Sequence, residues 1–339
     1  MKKVTLFKSA VLALLACVGI AACNNDATEV PTEPETYTVK LGWAGEILDV
    51  SYEPMTRATT DDLYGIQVYS TPDLELGEGE TVTWNRFAYG LFDDPNNITI
   101  TLSKGYKYKF EATMIVNGKN LVWNSESKYA IPFEDINYKH VALNNSFDYQ
   151  VNNGFTHIDC SQANLTASDR NTTYNIPNLE RLYGVLEDYN PKQNNTSAII
   201  PMKRVSFGAK FIAAGTLATS GILEIELEQA PILKMALTEE VDCVSDVYTF
   251  IGDGSGLSDC TIENYTETIG VSFKWIRTDG SIVPLGTHNI TFKRNTTTVV
   301  TVNINKDGND ENLGIVIDES ETGVMPDGDE VTITNGEMQ

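Results

Sequence analysis

Apolar and polar residues alternate with a period of two through most of the chain. Tyr37, Val39, Leu41 and Trp43 interleave with Thr38, Lys40 and Gly42. That spacing places one row inward and the other outward along an extended strand. Ile66 and Val68 repeat it within Leu63–Ser70, and Ile98, Ile100 and Leu102 alternate with Thr99, Thr101 and Ser103. After Lys104-Gly105, the run Tyr106, Tyr108, Phe110 alternates with Lys107, Lys109 and Glu111, and the two runs predict a hairpin about that turn.

The middle is less regular. Residues Asn144–Asn175 are rich in Asn, Ser, Thr and Asp. Leu179, Leu182, Tyr183 and Leu186 fall at helical spacing between Pro177 and Pro191, with Gly184 among them, and predict a short helix or an irregular connector. A polar linker, Lys192–Ser197, follows. Strand patterns then resume at Val205, Phe207, Ala209 and Phe211, and at Leu223, Ile225 and Leu227 against Glu224, Glu226 and Glu228. Val271, Phe273, Trp275, Ile290, Phe292, Val300, Val302 and Ile304 extend the series. Many short strands between Gly, Asn and Asp turns predict an all-β chain of β-sandwiches. The two halves have similar strand density and no convincing sequence repeat.

The N-terminus has a different character. Lys2, Lys3 and Lys8 precede the apolar run Ala10–Ile20, and Ile20-Ala21-Ala22 stand directly before Cys23. This reads as a lipoprotein signal peptide over 1–23, with lipidated Cys23 as the first mature residue. The apolar run is shorter than the roughly 20 residues a spanning helix needs. Acyl chains on Cys23 are therefore the expected anchor, each buried methylene contributing about 0.8 kcal/mol. Cys17 is an alternative cleavage position, and an ordinary signal peptide with an incidental cysteine is the opposing reading. Residues 24–35, polar and acidic with two prolines, form a flexible tether.

The formal charge is −23, and loss of 1–23, with three lysines and no acids, makes it −26. That balance argues against nucleic acid, whose binding rests on Lys and Arg neutralising phosphates. A hydrophobic content of 41% is ample for packed cores. Of the later cysteines Cys160, Cys243 and Cys260, the last two are a candidate disulfide in an exported compartment. Their spacings do not suit zinc, and no metal site is expected.

Catalytic signatures are not found. His140, His157 and His288 stand in no H-E-x-x-H, and there is no nucleophile elbow, P-loop or dinucleotide fingerprint after a strand. Asp307–Glu311 resembles a loop of Ca²⁺ oxygen ligands but lacks the EF-hand order, and a solvated turn is the simpler reading. Trp43, Trp84, Trp123 and Trp275 are candidate stacking platforms for a glycan, three of them in strand-like runs where a core role is expected. Residues 307–339 carry ten acids and no Lys or Arg, with two apolar pieces, Leu313–Ile317 and Val331–Ile333. Apolar pieces within such a tail predict a terminal strand, or a pair of strands, paired only part of the time.

Several stretches together resemble the fimbrillin superfamily, lipoprotein subunits of type V pili. They are Tyr37-Thr-Val-Lys-Leu-Gly, Met55-Thr-Arg-Ala58, Asp62-Leu-Tyr-Gly-Ile-Gln-Val-Tyr-Ser70, Arg181-Leu-Tyr-Gly184 and Met202-Lys-Arg-Val-Ser-Phe207. The resemblance implies two tandem transthyretin-like β-sandwich domains, placed at 36–190 and 198–306, followed by the acidic tail 307–339. It implies cleavage after Arg57, so that the chain begins at Ala58 and loses its first strand. A strand from a neighbouring subunit then fills the groove, with Leu313, Ile315, Ile317, Val331 and Ile333 as candidate donor residues. The expected partners are other fimbrial subunits or further copies, with the outer membrane reached through lipid and no cofactor beyond it. The acidic tail and weakly apolar donor depart from a tight groove filler and leave room for a minor or anchor subunit that keeps its lipid. The alternative is a non-polymerising surface lipoprotein that binds glycan or host protein through loops of the sandwich. An enzyme is not expected.

Overall fold

The computed structural model describes residues 35–48, 61–74, 81–158, 165–166, 173–174, 180–214, 220–227, 232–238, 242–244, 248–250, 265–303 and 315–322. Cys23, Arg57, Ala58, Cys160, Cys260, the Asp307–Glu311 run, Leu313, Val331 and Ile333 lie outside them.

The first five strands are β1 (Thr36–Gly45), β2 (Leu63–Pro72), β3 (Asn85–Phe92), β4 (Thr99–Ser103) and β5 (Tyr106–Ile115). A short helix, α1 (Gly118–Leu121), leads to a three-stranded sheet of β6 (Asn124–Ser125), β7 (Lys128–Glu134) and β8 (His140–Ala142). Two-residue strands β9 (Leu165–Thr166) and β10 (Thr173–Tyr174) pair with each other. Strands β11 (Arg181–Tyr189) and β12 (Ser197–Arg204) complete a seven-stranded sheet in the order β3-β2-β5-β11-β12-β1-β4.

All seven strands feed one core. Val39, Leu41, Ile66, Val68, Ile100, Leu102, Phe110, Leu182, Ile200 and Met202 are each at most 2% exposed and pack in a single cluster. A sheet whose every strand faces the same core is folded over on itself, giving the sandwich-like layering of an all-β protein. The opposite face of β2, β3 and β5 is also covered. Leu63, Leu91 and Ile115 form a second cluster with Val122, Phe133, Phe155 and Ile158 from the 118–158 segment.

That second layer explains where the simple alternation ends. In β2 the polar Gln67 is fully buried, donating to the Ala88 carbonyl at 3.0 Å and accepting from the Phe155 amide at 3.0 Å. Buried side-chain amides persist only when so satisfied.

Three expectations are corrected. The runs at 98–102 and 106–110 are strands but not a hairpin, because β4 pairs with β1 while β5 pairs with β2 and β11. Leu182, Tyr183 and Leu186 lie on β11, not on a helix. As a central strand, β11 is buried on both faces from Arg181 to Gly184, which erases the alternation. Lys192–Ser197 holds the tight turn of the β11–β12 hairpin and the first residue of β12, and the Tyr189 hydroxyl donates to the Asn195 carbonyl there at 2.7 Å.

Residues 198–204, placed by the sequence in the second domain, thus hydrogen-bond into the first sheet. Only Val205-Ser206 separates β12 from β13 (Phe207–Ala214). The remaining strands are β14 (Gly221–Leu227), β15 (Leu233–Leu237), β16 (Asp242–Val244), β17 (Tyr248–Phe250), β18 (Thr266–Ile276), β19 (Ile282–Lys293), β20 (Thr297–Asn303) and β21 (Ile315–Thr322). They form one sheet ordered β16-β13-β20-β21, with β17 also on β13, and another ordered β15-β14-β18-β19. Phe207, Phe211, Leu223, Ile225, Val271, Phe273, Ile290, Phe292, Val300 and Val302 close between them in a separate core. The alternation predicted for β14 and β18 holds, with Leu223, Ile225, Val271 and Phe273 inside and the intervening residues partly or fully exposed.

One topological feature is common to the two cores although the sequence shows no repeat. In each, the first strand runs parallel to a late one: β1 beside β12, and β13 beside β20.

Candidate functional site

β1 sits in a slot between two strands distant in sequence. It pairs in parallel with β12, Leu41 opposite Ala198 and Trp43 opposite Ile200, and antiparallel with β4, Val39 opposite Ile100. The Lys40 amide donates to Thr196 O at 2.9 Å and the Leu41 amide to Ile98 O at 2.9 Å. Successive amides therefore bond to opposite walls, as the pleat requires. Val39 and Leu41 point into the core at 0% and 1% exposure. Burial of two such side chains contributes about 1.5–3 kcal/mol each.

The strand is closed at its far end. Trp43 packs against Tyr64, ring centroids 5.5 Å apart, and its indole N–H donates to Pro95 O at 3.1 Å. Gly42 lies beneath the half-exposed Ile199 side chain. Gly45 turns out of the strand with φ 80°, where a Cβ would strike the Met202 carbonyl.

Immediately after that turn, Glu46 reaches the connection between β19 and β20. Its Oε1 and Oε2 accept from Arg294 Nη2 at 3.1 Å and Nη1 at 2.7 Å, a bidentate pair. Oε2 also accepts from the Arg204 amide at 2.6 Å. Arg294 Nη1 donates further to Arg204 O at 2.6 Å, and Arg204 Nη1 donates to Asn295 Oδ1 at 2.6 Å. Glu180 pairs with Arg204 Nε. Arg204 and Arg294 are 0% and 2% exposed. Buried guanidinium groups require such partners, and these partners come from segments that flank both cores.

Arg181 adds a neighbouring tie. It is fully buried, with Nε donating to Thr113 Oγ1 at 2.9 Å and its amide donating to Ser206 Oγ at 2.8 Å. Sequence reasoning missed Glu46, Arg181, Arg204 and Arg294 as a group. The available signal was charge set within apolar strand runs, as in Arg181-Leu-Tyr and Met202-Lys-Arg-Val.

The outer edges of the seven-stranded sheet are fastened without β1. β4 ends its sheet, and its residues 99, 101 and 103 face away from β1. The Thr101 amide donates to the Tyr149 hydroxyl at 3.2 Å, and the Ser103 amide to the Tyr108 hydroxyl at 2.9 Å. Burial raises the Tyr108 phenol to about 12, so the hydroxyl stays protonated and returns a bond to Ser103 O. At the opposite edge, Tyr89 of β3 exchanges backbone bonds with Asp148 at 3.0 and 2.8 Å. One segment, 145–149, thus covers both edges of the seven-stranded sheet, with Phe147 against Phe92 at 4.9 Å. Edges covered in this way do not template further strands.

Part of the candidate donor run is already seated. β21, containing Ile315 and Ile317, pairs antiparallel with β20, Ile317 opposite Val300 and Ile315 opposite Val302. Cys243 lies on β16, whose backbone pairs with Ala213 of β13.

The other sequence candidates do not converge. His140 Nε2 lies 3.3 Å from Glu134 Oε1 with its ring against Trp123, while His288 lies against Phe273. Among the described residues no three His, Cys, Asp or Glu side chains group to hold a metal ion. Trp275 is in the second core, and its indole N–H donates to Ser220 O at 3.2 Å. No described helix is long and apolar enough to cross a membrane.

The structure is similar to the fimbrial anchor protein Mfa2 from Porphyromonas gingivalis, at 9% identity and TM-score 0.38, covering 86% of this chain and 100% of that one. It is also similar to a fimbrial assembly protein from Parabacteroides distasonis, at 10% identity and TM-score 0.33, covering 84% and 100%. No family model and no curated protein matches the chain.

Proposed function

We propose that the chain is a non-enzymatic surface lipoprotein, anchored to the outer membrane through lipid on Cys23, that serves as a subunit or anchor of a type V-like fimbrium. Neighbouring subunits join by β-strand addition at the slot that β1 occupies. The observation that carries this reading is the seating of β1, which lies between β12 and β4 and buries Val39 and Leu41 in the first core.

Cleavage after Arg57, which falls between the Glu46–Leu48 turn and β2 in sequence, separates β1 from the rest of the chain. Withdrawal then leaves two walls of unpaired backbone above an open apolar cleft, which a second chain's strand fills. The terminal segment supplies a matching pattern when read backwards. Ile317, Ile315 and Leu313 then take the places of Val39, Leu41 and Trp43, with Gly314 at the Gly42 position. Side-chain alternation fixes this register, because a slip of one residue turns every apolar group outward.

A second reading is a lipid-anchored module that captures glycan or host protein. It draws on Tyr138, 56% exposed in the turn after β7, and on Tyr149, 45% exposed. Mass spectrometry of the N-terminus, on protein taken from its own cell surface, tests the proposal. A chain beginning at Ala58 without lipid supports a polymerising subunit. One beginning at acylated Cys23 sinks that version and leaves an anchor or a solitary binding lipoprotein.

A further inference from the structure

We infer that Glu46 is a latch through which the seating of β1 holds the chain's last described strand, β21, on its own sheet. The inference rests on the strand-addition reading for its use and on the geometry at Glu46 for its mechanism.

Glu46 follows β1 by a single residue and grips Arg294 with both carboxylate oxygens. Arg294 stands in the tight connection between β19 and β20, three residues before Thr297. That connection is held at each residue. The Arg294 amide donates to Tyr265 O at 2.9 Å, and the Asn295 amide donates to Ser206 O at 3.0 Å with Asn295 at φ 56°. The Gly208 amide donates to Thr296 O at 3.0 Å, and from there β20 runs parallel to β13. β21 pairs with β20 along its other side, from Val302 back to Thr297.

A chain of direct contacts therefore joins β1, Glu46, Arg294, the β19–β20 connection, β20 and β21. Withdrawal of β1 carries Glu46 away and leaves a buried guanidinium beside Arg204 without that carboxylate. Loss of a bidentate carboxylate from a buried guanidinium is strongly unfavourable, and the cheapest relief is for the connection to move towards water. Movement there disturbs the end of β20 where Thr297 faces Thr322, at the irregular register between Thr297 and Val299. β21 is the sheet's edge strand and is held by β20 alone among the described strands. Emptying the slot at one end of the chain thus loosens the strand at the other, so that acceptor and donor become available together.

The test is hydrogen exchange by mass spectrometry on the full, uncut chain carrying Glu46→Gln, with Arg294→Lys as a second variant. Both keep a polar partner at the site and weaken the bidentate pair. The expected result is exchange about tenfold faster at 297–303 and 315–322, with Gly221–Leu227 of the other sheet unchanged. No change at 315–322 in either variant overturns the inference, as does an equal rise at Gly221–Leu227, which marks global loosening. Neither outcome depends on fibre formation, so the latch and the strand-addition reading stand or fall separately.

Discussion

The hydroxyl of Tyr149 accepts a hydrogen bond from the amide of Thr101, 3.2 Å away, on the side of β4 turned from β1. With Tyr108 doing the same for Ser103, two phenols stand where another strand's carbonyls would otherwise bond. Phenylalanine at both positions keeps the rings and removes the acceptors. A hydrogen bond contributes about 1 kcal/mol net, and the two hydroxyls make three, so Tyr149→Phe with Tyr108→Phe is expected to lose about 3 kcal/mol in urea unfolding. The freed β4 edge should also promote association, visible as light scattering in the double variant and not in the parent. Unchanged scattering would show that the tyrosines stabilise β4 without guarding it.

Two glycines near the slot face different obstacles. A Cβ on Gly184 would run into the carbonyl of Pro201, which is backbone of the neighbouring β12. One on Gly42 would meet Ile199 Cδ1 at 2.7 Å, the free end of a half-exposed side chain that can rotate. Gly184→Ala is therefore expected to destabilise by about 1–3 kcal/mol or more, the range for forced overpacking. Gly42→Ala should cost less than about 1 kcal/mol, since only one rotamer must change. Thermal melts of the two variants side by side check the order, and the reverse order would contradict the geometry.

Leu41 carries the inward row of β1 at 1% exposure, while its neighbour Lys40 points to solvent. Leu41→Ala should lower stability by about 2–5 kcal/mol, and Lys40→Ala should stay within about 0.5 kcal/mol. If the strand is seated as described, the Leu41 variant also exchanges faster at Thr36–Gly45 than the parent. Equal unfolding midpoints for the two variants would show that β1 contributes little to the first core.

The strands legible in the sequence are those with one face in water. β1, β14 and β18 alternate cleanly because Lys40, Glu224 and Lys274 meet solvent while Leu41, Leu223 and Phe273 do not. β2 and β11 are covered on both faces. Gly65 there lies under Phe133, Gln67 is caught by Phe155, and Arg181 is buried against Thr113, so no alternation survives. The turn at Lys104-Gly105 was visible, but its chemistry does not say whether the flanking strands pair with each other. Only the long-range pairing of β4 with β1 decides that, and such pairing leaves no local trace. The Glu46–Arg294 contact was hidden for the same reason, its members standing 248 residues apart.

Asp93 gives the first core a measurable response to acid. It follows β3, and it is paired with Lys119 of α1 and accepts from the Asn145 side chain at 2.7 Å. Burial pushes its carboxyl up, but the hydrogen bonds from Lys119 and Asn145 outweigh that and hold it below the usual carboxylate range. A folded-state value depressed in this way adds stability above the unfolded pKa of about 3.9. That increment is lost as pH falls through the folded value. Lys119→Met removes the strongest cause of the depression and leaves Asn145 in place. The variant should unfold at lower urea than the parent near about pH 7, and the gap should narrow progressively as pH drops below about 4. A gap that is constant with pH would mean that Lys119 acts through packing of its stem on α1, not through the charge of Asp93.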